Sequence, residues 1–428
     1  MPKSVWKVFT LLLLVAATLG FAGCRKPKAK GESVVPPADD KIRIGAFMSL
    51  TGDTANYGIS ATNGIRLAVE QVNAAGGING KRIELIVQDT RSDAVETETV
   101  VRRLLGQYRV RALLGEVISS RSSVAASVAQ AARVPMLTPS ATNPEVTTRG
   151  DYIFRSCYTD PFQGAALAQF AAADLHAMRA ALLLDPGQSY SIELSKFIRN
   201  AFNARGGQII IEERYTEGSG DFTVPLTAIR DAAPDVIFVP GYYQDAGLIA
   251  RKARGLGITA PLIGGDGWDS KGLYETGGQD LVGSYFSSHY SADDPDPTVQ
   301  AFVGDYRAIF GQPPDAFAAT AYDAARIMID AISRAPSLEG AALRDALAAT
   351  KNFSGVTGSI TFNEQRDAVK PIVVIRIENG GKYTVQSRIT PDMLVLPQAT
   401  PTPNKNAPAK TRRGRARADA KSATHFQR

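Results

Sequence analysis

The chain has 428 residues, 44% hydrophobic and 8% aromatic, an ordinary globular composition with length enough for two domains. Its formal charge of +6 is unevenly placed: residues 1–30 hold six Lys or Arg and no acid, and residues 398–428 carry a net +7, which leaves the intervening chain at −7. The pI near 9.2 therefore reflects the ends and not a nucleic-acid surface, and two cysteines with three histidines exclude a disulfide scaffold and a His/Cys metal centre.

Lys3 and Lys7 precede an apolar stretch from Val8 to Leu19, and small residues follow before Cys24, the pattern of a secretory signal. The apolar stretch is too short to span a bilayer. Phe21-Ala22-Gly23-Cys24 resembles the bacterial lipobox, with Phe21 where Leu is usual. That resemblance implies removal of residues 1–23 and acylation of Cys24, which would anchor the protein to a membrane and leave Cys157 without a disulfide partner. Residues 24–40 have no apolar period and read as a tether. Residues 398–428 read as a basic disordered tail, either solvated or in contact with anionic lipid or wall polymer.

From Ile42 to Asp93 the chain lays out a strand, a polar Gly-bearing loop, a helix and a second strand. Ile42, Ile44 and Ala46 to Met48 are the first strand, and Ser49 to Gly58 is the loop. Ile65, Leu67, Ala68, Val69, Val72 and Ala75 recur near helical spacing, Gly76-Gly77 ends the helix, and Ile83 to Val87 begins the next strand. The rhythm continues with strands at 110–114, 135–137, 180–184, 208–211, 236–239 and 262–263. Helices at 122–132, 191–204, 222–232 and 246–256 lie between them. Alternation of this kind builds parallel sheets flanked by helices. Gly, Pro and polar breaks near residue 157 divide the strands into two sheets. Helices at 296–310, 315–334 and 338–349 follow, then strands at 359–362 and 372–377.

Gly45, Ser49, Gly52, Tyr57-Gly58, Gly64, Asn73, Gly76-Gly77-Ile78 and Gly80, in that order, resemble the leucine/isoleucine/valine-binding family of extracytoplasmic solute receptors. The resemblance covers nearly all of residues 41–390. It implies an α/β, two-lobed periplasmic-binding-protein type I fold with a three-strand hinge. Lobe 1 is then 41–157 plus 288–357, and lobe 2 is 158–287 plus 358–397, with the third crossing near Gly358. The implied partners are a small amino acid and the permease subunits of an ABC importer, with no cofactor.

Ligands of open α/β sheets sit beyond the carboxyl ends of strands. Ser119-Ser120 offers hydroxyls and free N–H groups at a helix start, suited to a carboxylate, and Thr138-Pro139-Ser140-Ala141-Thr142 is a second hydroxyl-rich loop. Both also suit simple capping. The resemblance implies that Ser119 and Thr142 hold an α-carboxylate and that the Ser140 carbonyl helps take an ammonium group. Asp266, between glycines after a strand, is the natural ammonium partner. Tyr57, Tyr190 and Tyr242 match pocket tyrosines, Tyr190 on a loop one residue longer than usual. Asp160 either lines the cleft or caps the next helix, and Tyr322 reads as core or hinge packing. Arg121 and Glu116 are unusual: they either recognise a second ligand carboxylate or pair on the surface. Phe162, Tyr243 and Trp268 either line a side-chain pocket or pack between loops. No nucleophile elbow, phosphate loop or metal spacing is present, so an enzyme is not expected. A sensor of amides or urea-like solutes is the alternative to an importer's receptor.

Overall fold

The structure is a computed structural model that describes residues 41–394; the signal segment, Cys24, the tether and the basic tail lie outside the described residues.

The opening unit forms where its apolar spacing places it. β1 (Lys41–Met48) is buried from Ile44 to Met48, α1 (Ala55–Ala74) covers it, and β2 (Arg82–Asp89) pairs with it in parallel from Lys41↔Arg82 to Met48↔Asp89. α1 ends where Gly77 takes φ +77, and a Cβ there would stand 2.2 Å from the Lys81 carbonyl oxygen. α2 (Ala94–Gly106), capped by the Asp93 carboxylate on Glu96 N–H, leads to β3 (Ala112–Gly115). α3 (Ser119–Ala132), β4 (Met136–Thr138), the short α4 (Glu145–Thr148) and β5 (Ile153–Arg155) complete a parallel sheet of order β2-β1-β3-β4-β5.

The chain then crosses into a second lobe. α5 (Asp160–Gln169) is followed by β6 (Arg179–Leu184), α6 (Ser189–Ala204), β7 (Gln208–Arg214) and α7 (Thr223–Ala232). β8 (Val236–Val239), α8 (Tyr243–Gly255), β9 (Leu262–Gly264), α9 (Lys271–Gly277) and β10 (Tyr285–Ser288) follow. Later in the chain β14 (Ile372–Ile377) and β15 (Tyr383–Ile389) add antiparallel strands, giving the order β15-β14-β10-β9-β8-β6-β7.

Between β10 and β14 the chain returns to the first lobe as α10 (Pro297–Phe310), α11 (Ala316–Arg334) and α12 (Gly340–Ala348). α11 packs on α1 so closely that a Cβ on Gly64 would stand 2.1 Å from the Ala318 carbonyl oxygen. Tyr322 belongs to that interface: its ring lies 4.8 Å from Phe302 and its hydroxyl donates to Gln71 Oε1 at 2.7 Å.

Two expectations shift. A small sheet of β11 (Phe353–Gly355), β12 (Gly358–Phe362) and β13 (Ala368–Val369) stays with the first lobe, because Phe362 packs on Phe154, Asp367 pairs with Arg155, and Asp323 of α11 accepts from Val356 and Thr357 N–H. The third crossing is therefore at Lys370-Pro371, not near Gly358. α3 and α8 each begin three residues before the predicted start, since their first turns carry residues that face the cleft and add nothing to the apolar period.

Candidate functional site

The loops after β3, β4, β6, β8 and β9 meet where the lobes face each other, the carboxyl-end position that parallel sheets reserve for ligands. They enclose a small cavity. Ser119, Ser140 and Thr142 line it from the first lobe; Tyr190, Tyr242, Asp266 and Gly267 line it from the second. Val117, Ile118 and Phe317 supply its apolar wall.

Asp266 is buried between three neighbours. Tyr190 Oη donates to its Oδ1 at 2.8 Å, His289 Nε2 lies 3.2 Å from its Oδ2, and its backbone N–H donates to Gln163 Oε1 at 2.9 Å. Tyr190 also stacks on Tyr242, with centroids 5.4 Å apart and an interplanar angle of 16°. Burial first, and then the nearby Asp266 charge, holds the Tyr190 phenol well above its ordinary value, so it stays a donor.

The opposite end is made of hydroxyls and a helix start. Ser119 is the first residue of the 14-residue α3. Its Oγ accepts only a long bond, 3.4 Å, from Asn143 N–H. Thr142 Oγ1 is buried beside the Asp160 carboxylate, without a well-formed hydrogen bond among the described residues. Ser140 Oγ shares a hydrogen bond with Thr320 Oγ1 at 2.8 Å.

This loop is held from below by Arg155, which is wholly buried. Its Nη1 donates to the Ala141 and Asn143 carbonyls at 2.7 and 2.8 Å, and its Nη2 to the Pro144 carbonyl and Thr147 Oγ1 at 3.2 and 2.9 Å. Nε closes the set on Asp367 Oδ1 at 2.5 Å.

Several predicted contacts have other partners. Tyr57 is not a cavity wall: its hydroxyl donates to the Gly267 carbonyl and accepts from Tyr243 N–H at 3.1 Å, so it ties α1 to the second lobe. Asn56 Nδ2 adds a bond to Tyr243 Oη at 3.0 Å. Asp160 starts α5, its N–H donating to the Thr142 carbonyl at 3.0 Å. Its side chain is fully buried outside the cavity lining, and burial, opposed by the neighbouring Thr142 hydroxyl, raises its carboxyl well above the usual range. Phe162 packs edge-on to Tyr158, and Trp268 lies beneath Gly264 with Nε1 donating to the Val239 carbonyl at 3.1 Å. The aromatic cavity wall is instead Phe317, from the start of α11, a residue that no local pattern marked.

Glu116 and Arg121 do pair, but inside the lobe and not on its surface. Arg121 Nε lies 3.4 Å from Glu116 Oε1, Nη2 donates to Thr54 Oγ1 at 2.6 Å, and Nη1 to the Ser92 carbonyl at 3.1 Å. Glu116 in turn accepts from Ser49 Oγ at 2.5 Å and Ile118 N–H at 2.8 Å. Both side chains bind the loops after β1, β2 and β3, Arg121 Nε is left without a hydrogen-bond partner among the described residues, and neither residue lines the cavity.

A second acidic feature sits at the hinge. Asp269, from the loop after β9, accepts from Ser288 Oγ at 2.6 Å and reaches Ala316 N–H of the first lobe at 3.5 Å. Burial, and then the neighbouring Asp315 carboxylate, pushes it up to about 7; burial pushes Asp315 to about 6. A carboxyl raised in the folded state stabilises most when protonated, below about pH 4, and that contribution is lost as pH rises through about 7. Asp269→Asn is therefore expected to raise the thermal midpoint over wild type more at pH 8 than at pH 5. A difference independent of pH would refute this. Cys157, buried and reduced, has its thiol pushed far above its ordinary value by burial, which removes it as a nucleophile.

Comparison with known proteins agrees with this architecture. A Leu/Ile/Val-binding protein of Rhizobium johnstonii is 30% identical over 361 residues, covering 84% of this chain and 94% of that protein. The crystal structure of a leucine-binding protein from Thermotoga maritima superposes with a TM-score of 0.79 at 36% identity, covering 82% of this chain and all of the other. A branched-chain amino acid transporter substrate-binding protein of Streptococcus pneumoniae, solved with isoleucine, gives 0.77 at 33% identity over 81% and 98% of the two chains. Residues 41–382 match the periplasmic binding protein family, and with that span, this two-lobed fold and a cleft at the strand ends, the chain belongs to that family of extracytoplasmic solute-binding proteins.

Proposed function

We propose that the protein captures a branched-chain or similar small amino acid between its lobes and delivers it to the membrane subunits of an ABC importer, without chemistry on the ligand. One observation carries this reading: a helix N-terminus with two hydroxyls faces a buried carboxylate across a small cavity whose remaining wall is apolar. An α-carboxylate suits the α3 N-terminus with Ser119 and Thr142, where N–H groups and the helix dipole favour an anion. An α-ammonium suits Asp266, helped by the Ser140 carbonyl, with Tyr190 and Tyr242 closing over it. Val117, Ile118 and Phe317 then receive an aliphatic side chain.

Closure follows from the same contacts. A ligand on the first-lobe hydroxyls gains Tyr190, Tyr242 and Asp266 only when the lobes meet, and Tyr57 then locks on Gly267; differential contact of this kind shifts an open-closed equilibrium. Asp160 supports the Thr142 loop through its backbone. Acylation of Cys24 would hold the receptor at the outer face of a membrane, and mass spectrometry of membrane-extracted protein tests it: a mature chain starting elsewhere rejects the anchor.

The decisive measurement is a thermal-shift screen of protein unfolded and refolded to strip carried-over ligand, against amino acids, amides and small acids. Stabilisation follows RT ln(1 + [L]/Kd), so leucine, isoleucine or valine should stand out. Response to acids lacking an amino group, with none to amino acids, would defeat the assignment of Asp266.

A further inference from the structure

His289 stands at the second crossing, directly after β10, and has no place in the cavity lining. It is buried, stacks on Tyr158 with centroids 3.9 Å apart, and presents Nε2 to Asp266 Oδ2 at 3.2 Å. Its other nitrogen, Nδ1, is buried without a hydrogen-bond partner among the described residues. A buried N–H left unpaired is costly, whereas a bare ring nitrogen in apolar contact costs less, so the proton belongs on Nε2. Neutral His289 then donates to Oδ2 while Tyr190 donates to Oδ1, and the Asp266 carboxylate is pinned at both oxygens.

We infer that His289 is a positioning residue for the ligand's ammonium acceptor, fixing the plane of the Asp266 carboxylate while neutral and competing with the ammonium group for it once protonated. This rests on the amino-acid reading of the site. The charged groups that face His289 are few. Asp266, from the loop after β9, favours its protonation; buried Lys370, at the third crossing, opposes it, as does burial itself, the largest effect. The Tyr158 ring from the first crossing covers its face and, kept un-ionised by burial, adds no charge. The net result holds His289 below its ordinary value, so it is neutral at pH 7 and charges only in acid. An ammonium group on Asp266 lowers it further, so releasing ligand in acid takes up a proton. Affinity for the amino acid therefore falls as pH falls, by up to about tenfold per pH unit.

The test has two arms. Nitrogen NMR of the ligand-free protein, with His289 assigned by loss of its signal in His289→Gln, should show the Nε2–H tautomer at pH 7 and a titration displaced to lower pH in Asp266→Asn. A signal unmoved by Asp266→Asn overturns the pairing whether or not any ligand is known. Calorimetry between pH 5 and 8 supplies the second arm, with leucine and its des-amino analogue 4-methylpentanoate. Wild type should lose leucine affinity in acid; His289→Gln, which keeps a donor at similar reach, should bind at pH 7 within a few-fold of wild type and lose the acid dependence. His289→Phe keeps the stack but no donor and should bind leucine about tenfold more weakly, with little change for the analogue. A merely structural role predicts equal losses for both compounds and an unchanged pH profile in His289→Gln, and either result overturns the inference. Wild type that binds no amino acid defeats the reading of the site instead, and the NMR arm still decides the pairing.

Discussion

Asp266→Asn is expected to weaken binding of a branched-chain amino acid by about 10²–10³-fold, measured by calorimetry, while 4-methylpentanoate changes little. The substitution keeps the shape and the oxygen that accepts from Tyr190, but it removes the negative charge from a buried position beside Tyr190, Tyr242 and Gly267. An ammonium group left there without a counter-charge keeps its desolvation cost and loses its compensation. The ligand-free variant should be no less stable than wild type, since without an ammonium group Asp266 is a buried carboxylate served only by neutral donors. Equal losses for both compounds would show that the aspartate shapes the loop and does not hold the amine.

Arg155→Met is expected to destabilise the fold by about 3–5 kcal/mol, the range for removing one partner of a buried charge pair. The arginine is wholly buried; its loss strands the carbonyls of Ala141, Asn143 and Pro144 and leaves Asp367, among the described residues, only Thr147 Oγ1 as a side-chain donor. Urea unfolding should show a lower midpoint with an unchanged slope, because the surface exposed on unfolding stays the same. Arg155→Lys should recover only part of the loss: an ammonium group cannot present the planar fork that reaches five acceptors at once. Ligand affinity should fall as well, since these carbonyls belong to the loop that carries Ser140 and Thr142. A variant within about 1 kcal/mol of wild type would show that the loop holds its shape without the arginine.

The two residues act on one loop system from different distances. Arg155 sits beneath the hydroxyl end of the cleft and joins the first sheet to β12–β13 through Asp367, while Asp266 closes the other end. Tyr57 spans the gap above them. Between these, the cavity is polar at both ends and apolar along one wall.

Much of this was legible in the residue order because it depends on local spacing. Apolar runs of strand length alternating with helical periods, punctuated by Gly76-Gly77, can fold only as parallel sheets under helices, and Ser119, Thr142, Tyr242 and Asp266 each follow a strand at its carboxyl end. The glycines of the opening unit added the family, since each marks a turn or a close backbone approach such as Gly64 against Ala318. Phe317, Val117, Ile118, Arg155 and His289 were not legible as site or support residues. Each lies in an apolar or unremarkable local context, and its role comes from a contact made elsewhere in the chain: Phe317 reaches the loops of β3 and β4 from α11, and His289 reaches Asp266 across β10. The pairing of Glu116 with Arg121 inside the lobe, and the third crossing at Lys370-Pro371, were likewise settled by packing. The sequence by itself determined the layered fold, the family and which loops face the cleft, because periodicity and turn chemistry are local. Only the tertiary structure decided which side chains meet there, because burial and hydrogen-bond partners are set between segments that fold together from distant parts of the chain.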